Sequence, residues 1–213
     1  MTKVKAARPY DRRSRDEQAR ATRERVIDAA RATFLEKGYG ATTVLAIAAL
    51  AGVSVETIYK AFGGKAGLVR AIHQRALEGQ GPTPAEQRSN AMSAREEDAR
   101  DLVAKWGALT AEVSPLVSPI HLLIRSAAAA EPELVSLLDE ISDARLLRMK
   151  KNASVLERLG FLRKGLSVET AAEIMWAYTA PELYDLLVLQ QRWSPKELGA
   201  FVGAALEAAL LRR

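Results

Sequence analysis

Thr43, Ser54, Val55, Thr57, Tyr59, Lys60 and Lys65 fall within one short stretch, TTVLAIAALAGVSVETIYKAFGGK at residues 42–65. They bring hydroxyls, two ammonium groups and one small apolar side chain, with no paired base or carboxylate beside a nucleophile. That chemistry is recognition rather than bond breaking. Tyr59 and Lys60 suit phosphate oxygens, by hydroxyl and by charge, and Thr57 and Val55 suit base edges, thymine methyls included. Glu56 is able to accept from a cytosine amino group, but a solvated surface charge is its simpler role. A packing role for Tyr59, and that of a helix cap alone for Ser54, are the lesser alternatives.

The elements that would carry these residues are two short helices joined at Gly52-Val53-Ser54. Thr42 or Thr43 caps the first, whose inner side is Val44, Ile47, Ala48 and Ala51. Gly52 stands where the chain needs a left-handed residue to leave a helix. Ser54 caps the second, and Ile58 and Phe62 supply its inner side. The layout is that of a helix-turn-helix, whose second helix enters a DNA major groove.

Catalytic and metal chemistry find little support. There is no cysteine, and the two histidines, His73 and His121, are far apart with no HExxH or GxSxG around them. Gly63-Gly64-Lys65-Ala66 ends like a phosphate-binding loop, but Tyr59 replaces its first glycine and Ala66 its Ser/Thr. No catalytic residue, metal ligand or cofactor is expected.

Charge divides along the 213 residues. Residues 1–80 hold 15 Lys/Arg against 8 Asp/Glu, and residues 81–213 hold 16 against 18. The positive half is the half with the helix-turn-helix, the footprint of a nucleic-acid binder. The N-terminus has no apolar signal core, and no apolar run was expected to approach the ~18 residues that cross a bilayer. A cytoplasmic protein without membrane contact is expected.

Apolar residues recur at helical spacing almost throughout, so the fold class is all-α, with about nine helices. The expected domains are a basic arm (1–20, with Arg8, Arg12, Arg13 and Arg15), a helix-turn-helix domain (21–80) and a helical domain (81–213). The first helix is expected over Ala21–Lys37, ended by Gly38-Tyr39-Gly40, and a fourth from Lys65 to the breaker run Gly79–Pro84. Five more are expected at Asp98–Val113, Val117–Ala130, Pro132–Leu159, Val168–Gln190 with a split at Pro181, and Pro195–Leu211 behind a Ser194/Glu197 capping box.

Residues 21–71 resemble the DNA-binding domain of the TetR family of bacterial transcriptional regulators. The resemblance rests on Phe34, Gly38-Tyr39, Thr42-Thr43, Ile47-Ala48, Ala51-Gly52-Val53-Ser54, Thr57-Ile58-Tyr59, Phe62 and Lys65. It also touches the C-terminal stretch around Trp193-Ser194-Pro195. It implies a homodimer that binds a palindromic operator, with a C-terminal domain that binds a small effector and releases DNA, usually as a repressor. It makes Thr43, Ser54, Thr57, Tyr59, Lys60 and Lys65 DNA-contact candidates. Leu45-Ala46 departs from the charged or polar pair common in the family, so the basic arm is expected to supply phosphate contacts instead.

Two further surfaces are expected. Leu183, Leu187, Leu198, Phe201, Val202 and Ala205 form an apolar seam for a dimer, with Gly199 and Gly203 allowing close approach; an intramolecular core is the alternative. Trp106, Thr110, His121, Arg125, Met149, Trp176 and Tyr178 are the central residues able to line a largely apolar effector pocket, although each also fits ordinary core or surface. A helical scaffold without DNA binding, or a DNA-binding activator without a ligand, are the competing functions.

Overall fold

The computed structural model describes residues 10–81 and 83–212, and the chain divides into two compact units at Ile72/His73. Among the described residues there are helices and no named strand.

In the N-terminal unit, α1 (Tyr10–Ala41) begins well before the expected Ala21. Residues 10–20, read from sequence as an arm, therefore continue the helix; Arg8 lies outside the described residues. Asp11 to Glu17 offers no apolar stripe, so periodicity gave no sign of it. Gly38, at φ 78° and ψ 168°, breaks the helical path where the Gly-Tyr-Gly run predicted a stop. Then come α2 (Val44–Ala51), α3 (Val55–Phe62) and α4 (Lys65–Glu78). Val26, Ile27, Ala30 and Phe34 of α1, Val44, Ile47 and Ala48 of α2, Ile58 of α3, and Leu68, Val69 and Ile72 of α4 are the buried apolar residues of this unit's core. Removing a side chain such as Ile58 from water is worth roughly 1.5–3 kcal/mol. Gly67 marks the tightest join: a Cβ there would lie 1.6 Å from the Phe62 carbonyl oxygen.

The boundary lies six residues before the breaker run at Gly79. That run is no loose linker, because Glu112 clamps it. One carboxylate oxygen accepts from Gln80 N–H at 2.6 Å, and the carboxylate pairs bidentately with Arg88 at 2.5 and 2.7 Å.

The C-terminal unit holds the end of α4, then α5 (Ala85–Arg95), α6 (Ala99–Ala127), α7 (Pro132–Arg158), α8 (Val168–Tyr178), α9 (Pro181–Tyr184) and α10 (Pro195–Leu210). Helix α9 runs on into a π-helical turn, Asp185–Gln190. The sequence reading had no helix at α5, where Ala85, Ser89 and Ser93 are the buried positions. Small and polar residues make that inward face, so no hydrophobic stripe announces it.

Two expected helices are one in α6, which runs through Pro115 and Pro119. The prolines are four apart and so share one helix face, which confines the missing N–H groups to that side. Continuity also overturns the expectation about apolar runs: α6 is long and apolar enough by composition to cross a membrane. Here Leu102, Val103 and Trp106 of α6 join Leu198, Val202, Leu206 and Leu210 of α10, and Met175 of α8, in the unit's core. The predicted split at Pro181 is present, and Ser194 and Glu197 form the predicted capping box.

Candidate nucleic-acid interface and effector region

The recognition surface begins with its caps. Thr43 Oγ1 accepts from Ala46 N–H at 3.1 Å and starts α2; Thr42 is buried instead, donating to the Gly38 carbonyl at 2.7 Å. Gly52 ends α2 at φ 66°, returning its N–H to the last carbonyls of the helix. The chain then bends by 105° into α3, within the usual range for a helix-turn-helix. Ser54 Oγ accepts from Thr57 N–H at 3.1 Å and lies 2.8 Å from the Thr57 hydroxyl. Ser54 is thus first a cap, and it also orients Thr57.

Ile58 faces inward while Glu56, Thr57, Tyr59 and Lys60 are exposed and Val55 is half-buried. Tyr59 leans toward buried Gly64, where an added Cβ would meet its ring at 3.5 Å, yet the side chain stays 54% exposed. Lys65 is half-buried, with its ammonium 4.1 Å from the centroid of the Tyr39 ring, which itself stacks on Phe34 at 5.5 Å. Both side chains thus have packing roles. Leu45 is 68% exposed, so the uncharged first turn of α2 is a surface feature.

Arginines from α1 approach α3. A cleft of about 660 Å³ is lined by Arg15, Arg23 and Arg25 on one side and Thr57, Ala61 and Phe62 on the other. The Arg23 guanidinium lies 4.6 Å from the Phe62 ring centroid. Sequence reasoning named Arg15 but missed Arg23 and Arg25. Their helical spacing from Phe34 and Val26 was available, but their neighbour in α3 was not.

In the C-terminal unit the expected effector residues separate. Trp106 is buried in the core with its indole N–H unpartnered, and the Thr110 hydroxyl is spent on the Trp106 carbonyl at 2.9 Å. Tyr178 packs edge-on against Phe201 at 6.3 Å, and Phe201 against Trp193 at 5.9 Å. His121, Arg125, Met149 and Trp176 do converge, around Arg145 of α7, which was not on the sequence list. The Arg145 guanidinium stacks 4.1 Å from the Trp176 ring centroid and donates to the Trp176 carbonyl and, at 3.4 Å, to Thr179 Oγ1. Thr179 donates to the Met175 carbonyl at 2.9 Å and lies 3.9 Å from Met149 Sδ.

Arg125 pairs with Glu182. Burial lowers the Arg145 pKa to about 10, with Glu182 opposing. Burial likewise pushes His121 down, with Glu182 opposing and Arg145 and Arg125 reinforcing. His73 falls to about 4, through burial first and His121 second. Among the described residues no cluster of His, Asp or Glu is arranged to hold a metal.

The proposed seam also divides. Leu198 and Val202 are buried in the unit's own core and so face inward, not toward a partner. Gly199 and Gly203 face α6: a Cβ on Gly199 would lie 2.5 Å from the Gly107 carbonyl oxygen, and one on Gly203 3.4 Å from Ala104 Cα. Leu183, Leu187 and Ala205 are half-buried, and Phe201, Leu186 and Leu189 exposed.

The capped α2–α3 pair, bent by 105° and with polar side chains on the open face of α3, in a chain that carries a second helical unit, defines a helix-turn-helix DNA-binding regulator. Residues 26–72 match the family model described as bacterial regulatory proteins, tetR family. The match covers the helix-turn-helix domain, which is of the TetR type. Two curated relatives are the uncharacterized HTH-type transcriptional regulator YvkB of Bacillus subtilis and the probable HTH-type transcriptional regulator ArpR of Pseudomonas putida. The first is 47% identical over 53 residues, 25% of this chain and only 28% of its own length. The second is 27% identical over 199 residues, 83% of this chain and 90% of its own.

Among solved structures, the SmeT–triclosan complex superposes with a TM-score of 0.70 at 23% identity, covering 90% of this chain and 92% of that one. A putative TetR-family regulator from Rhodococcus sp. gives 0.68 at 19%, covering 89% and 98%. SmeT is described as the repressor of the Stenotrophomonas maltophilia multidrug efflux pump SmeDEF. At these identities the likeness is one of fold.

Proposed function

We propose that this regulator is a repressor that binds a palindromic operator as a homodimer and is released from it by a small organic molecule held in the C-terminal unit. The observation that carries the reading is the outer face of α3, where Thr57, Tyr59 and Lys60 are exposed on a helix fixed at both ends by caps. Thr57 and Val55 would meet base edges, and Tyr59 and Lys60 phosphates. Thr43 and Lys65 flank this face, and Arg15, Arg23 and Arg25 extend its positive charge along α1.

A single eight-residue helix reads few base pairs, so two copies about one DNA turn (~34–36 Å) or a multiple apart supply the specificity. The dimer surface is reassigned to what α9 and α10 leave uncovered: Leu186, Leu189 and Phe201, bordered by Leu183, Leu187 and Ala205. Release follows from linkage: an effector that binds the DNA-incompetent form better lowers operator affinity, typically by ~1–3 kcal/mol of coupling. The effector region is His121, Arg125, Met149 and Trp176 around Arg145. The triclosan complex of a structural neighbour supports a small organic ligand in this fold.

Fragments selected by the purified protein from a sheared genomic pool test the reading. The expected product is a small set sharing an inverted repeat, bound with a steep salt dependence. Recovery of no enriched sequence would favour a scaffold role; enrichment without loss of binding in extracts of ligand-fed cells would favour a regulator without a ligand.

A further inference from the structure

Arg145 is an unusual residue to keep inside a helical unit. Its Nε is shut off from solvent and has no hydrogen-bond partner, and the adjacent Trp176 indole N–H is in the same position. Both orphans are donors, and both belong to one stacked pair. The partners the guanidinium does have are neutral: the Trp176 carbonyl and the Thr179 hydroxyl, both reached through Nη1. Neither Nε nor Nη2 finds an acceptor among the described residues, and that is the edge of the fork that pairs bidentately with a carboxylate.

The surroundings do not neutralise it. Glu182 is the carboxylate that acts on Arg145, but its ion pair is with Arg125. His121, the remaining titratable neighbour, is held toward its neutral form by burial. The cluster of Arg125, Glu182, His121 and Arg145 thus keeps one uncompensated positive charge. Arg145 is half-buried, yet a cation drawn into a unit without an ion-pair partner is costly, and two unpartnered donors side by side add to the cost. Replacement by a methionine or leucine would remove the charge and the orphaned Nε if packing were all that mattered.

We propose that Arg145 and Trp176 form an anion-recognising point inside the effector region, and that the effector is a small organic carboxylate with an apolar or aromatic body. The carboxylate takes the Nε/Nη2 edge of Arg145, where its oxygens satisfy donors that the protein leaves unpaired. The body lies along Trp176 and Met149. Thr179 is a positioning residue that holds Nη1 and so turns the free edge of the fork. This inference rests on the reading of the C-terminal unit as effector-binding.

The test uses the full-length protein without DNA, and benzoate, 4-phenylbutyrate and octanoate, each paired with its primary amide. Binding is read from tryptophan fluorescence and from the shift in unfolding temperature. At least one carboxylate should bind with a Kd of ~1 mM or tighter, and roughly tenfold or more tightly than its amide. Arg145→Gln should abolish that preference while the ligand-free variant unfolds at the same or a higher temperature. Arg145→Lys, which keeps the charge and guards against a folding defect, should retain only part of the preference, because the bidentate fork is gone. Equal binding of acid and amide, a preference that survives Arg145→Gln, no carboxylate binding in this range, or a marked fall in the ligand-free unfolding temperature would each overturn the proposal. A carboxylate that binds as expected without releasing operator DNA would leave this site standing and count against the regulatory reading alone.

Discussion

Gly107 and Gly199 face each other across α6 and α10 so closely that a Cβ on either would fall within 2.5 Å of the other's carbonyl oxygen. The obstacle on both sides is backbone, which has no rotamer with which to yield. Gly199→Ala should therefore destabilise the C-terminal unit by at least the ~1–3 kcal/mol usual for overpacking. Urea unfolding followed by circular dichroism reads this directly, and an unchanged midpoint would show that α6 and α10 are not packed this tightly.

The same pair shows what a sequence does and does not disclose. Gly199 and Gly203 are recognisable from sequence as points of close helix approach, but a second subunit, with an intramolecular core as the alternative, is the partner that spacing suggests. Periodicity reports which face of α10 is apolar, and it is silent on whether the facing helix belongs to the same chain. The N-terminal unit was far more legible: Phe34, Ile47, Ile58 and the caps at Thr43 and Ser54 stand where their spacing put them, because each signal is local. Helix α5 has a small and polar inward face, and the first turns of α1 carry no apolar stripe in sequence, so neither left such a trace. Arg145 was missed for a related reason. A charged residue at helical spacing reads as surface, and only the stacked Trp176 and the missing acceptors mark it as something else.

His73 makes stability depend on pH. Its folded pKa of about 4 lies below the ordinary 6.5, so the unfolded chain binds a proton that the folded chain refuses. Stability is full above pH 6.5 and is lost as pH falls toward 4, by roughly 3 kcal/mol at most. His121 acts in the same direction. His73→Gln should flatten the fall in unfolding temperature between pH 6.5 and 4 relative to the parent chain. Parallel curves would mean that the imidazole is not buried in its neutral form.

Ser54 links stability to recognition. Its loss as a cap in Ser54→Ala should cost ~1 kcal/mol of stability and free Thr57 from its hydroxyl partner. Operator affinity should drop further than stability explains, measured by fluorescence anisotropy at a temperature where both proteins are fully folded. Equal operator affinity would reduce Ser54 to a cap alone.

The apolar surface left by α9 and α10 should govern assembly. Leu186→Glu combined with Phe201→Glu places charges on side chains that are exposed in the single chain, so the fold should survive. Light scattering should then give the monomer mass where the parent chain gives the dimer. Operator binding should weaken with it, since a symmetric site needs both reading helices. A double variant that remains dimeric would place the interface elsewhere.

The central claim is that the exposed face of α3 reads DNA. Its most direct measurement is anisotropy binding of Thr57→Ala and Lys60→Ala to the selected operator and to a scrambled duplex across a salt series. Thr57→Ala should lose ~1–3 kcal/mol on the operator and little on the scrambled duplex, as for a base contact. Lys60→Ala should weaken both duplexes alike and lower the salt slope by ~1, as for a phosphate contact. Parent-like affinity and salt slope in both variants, on both duplexes, would contradict the account.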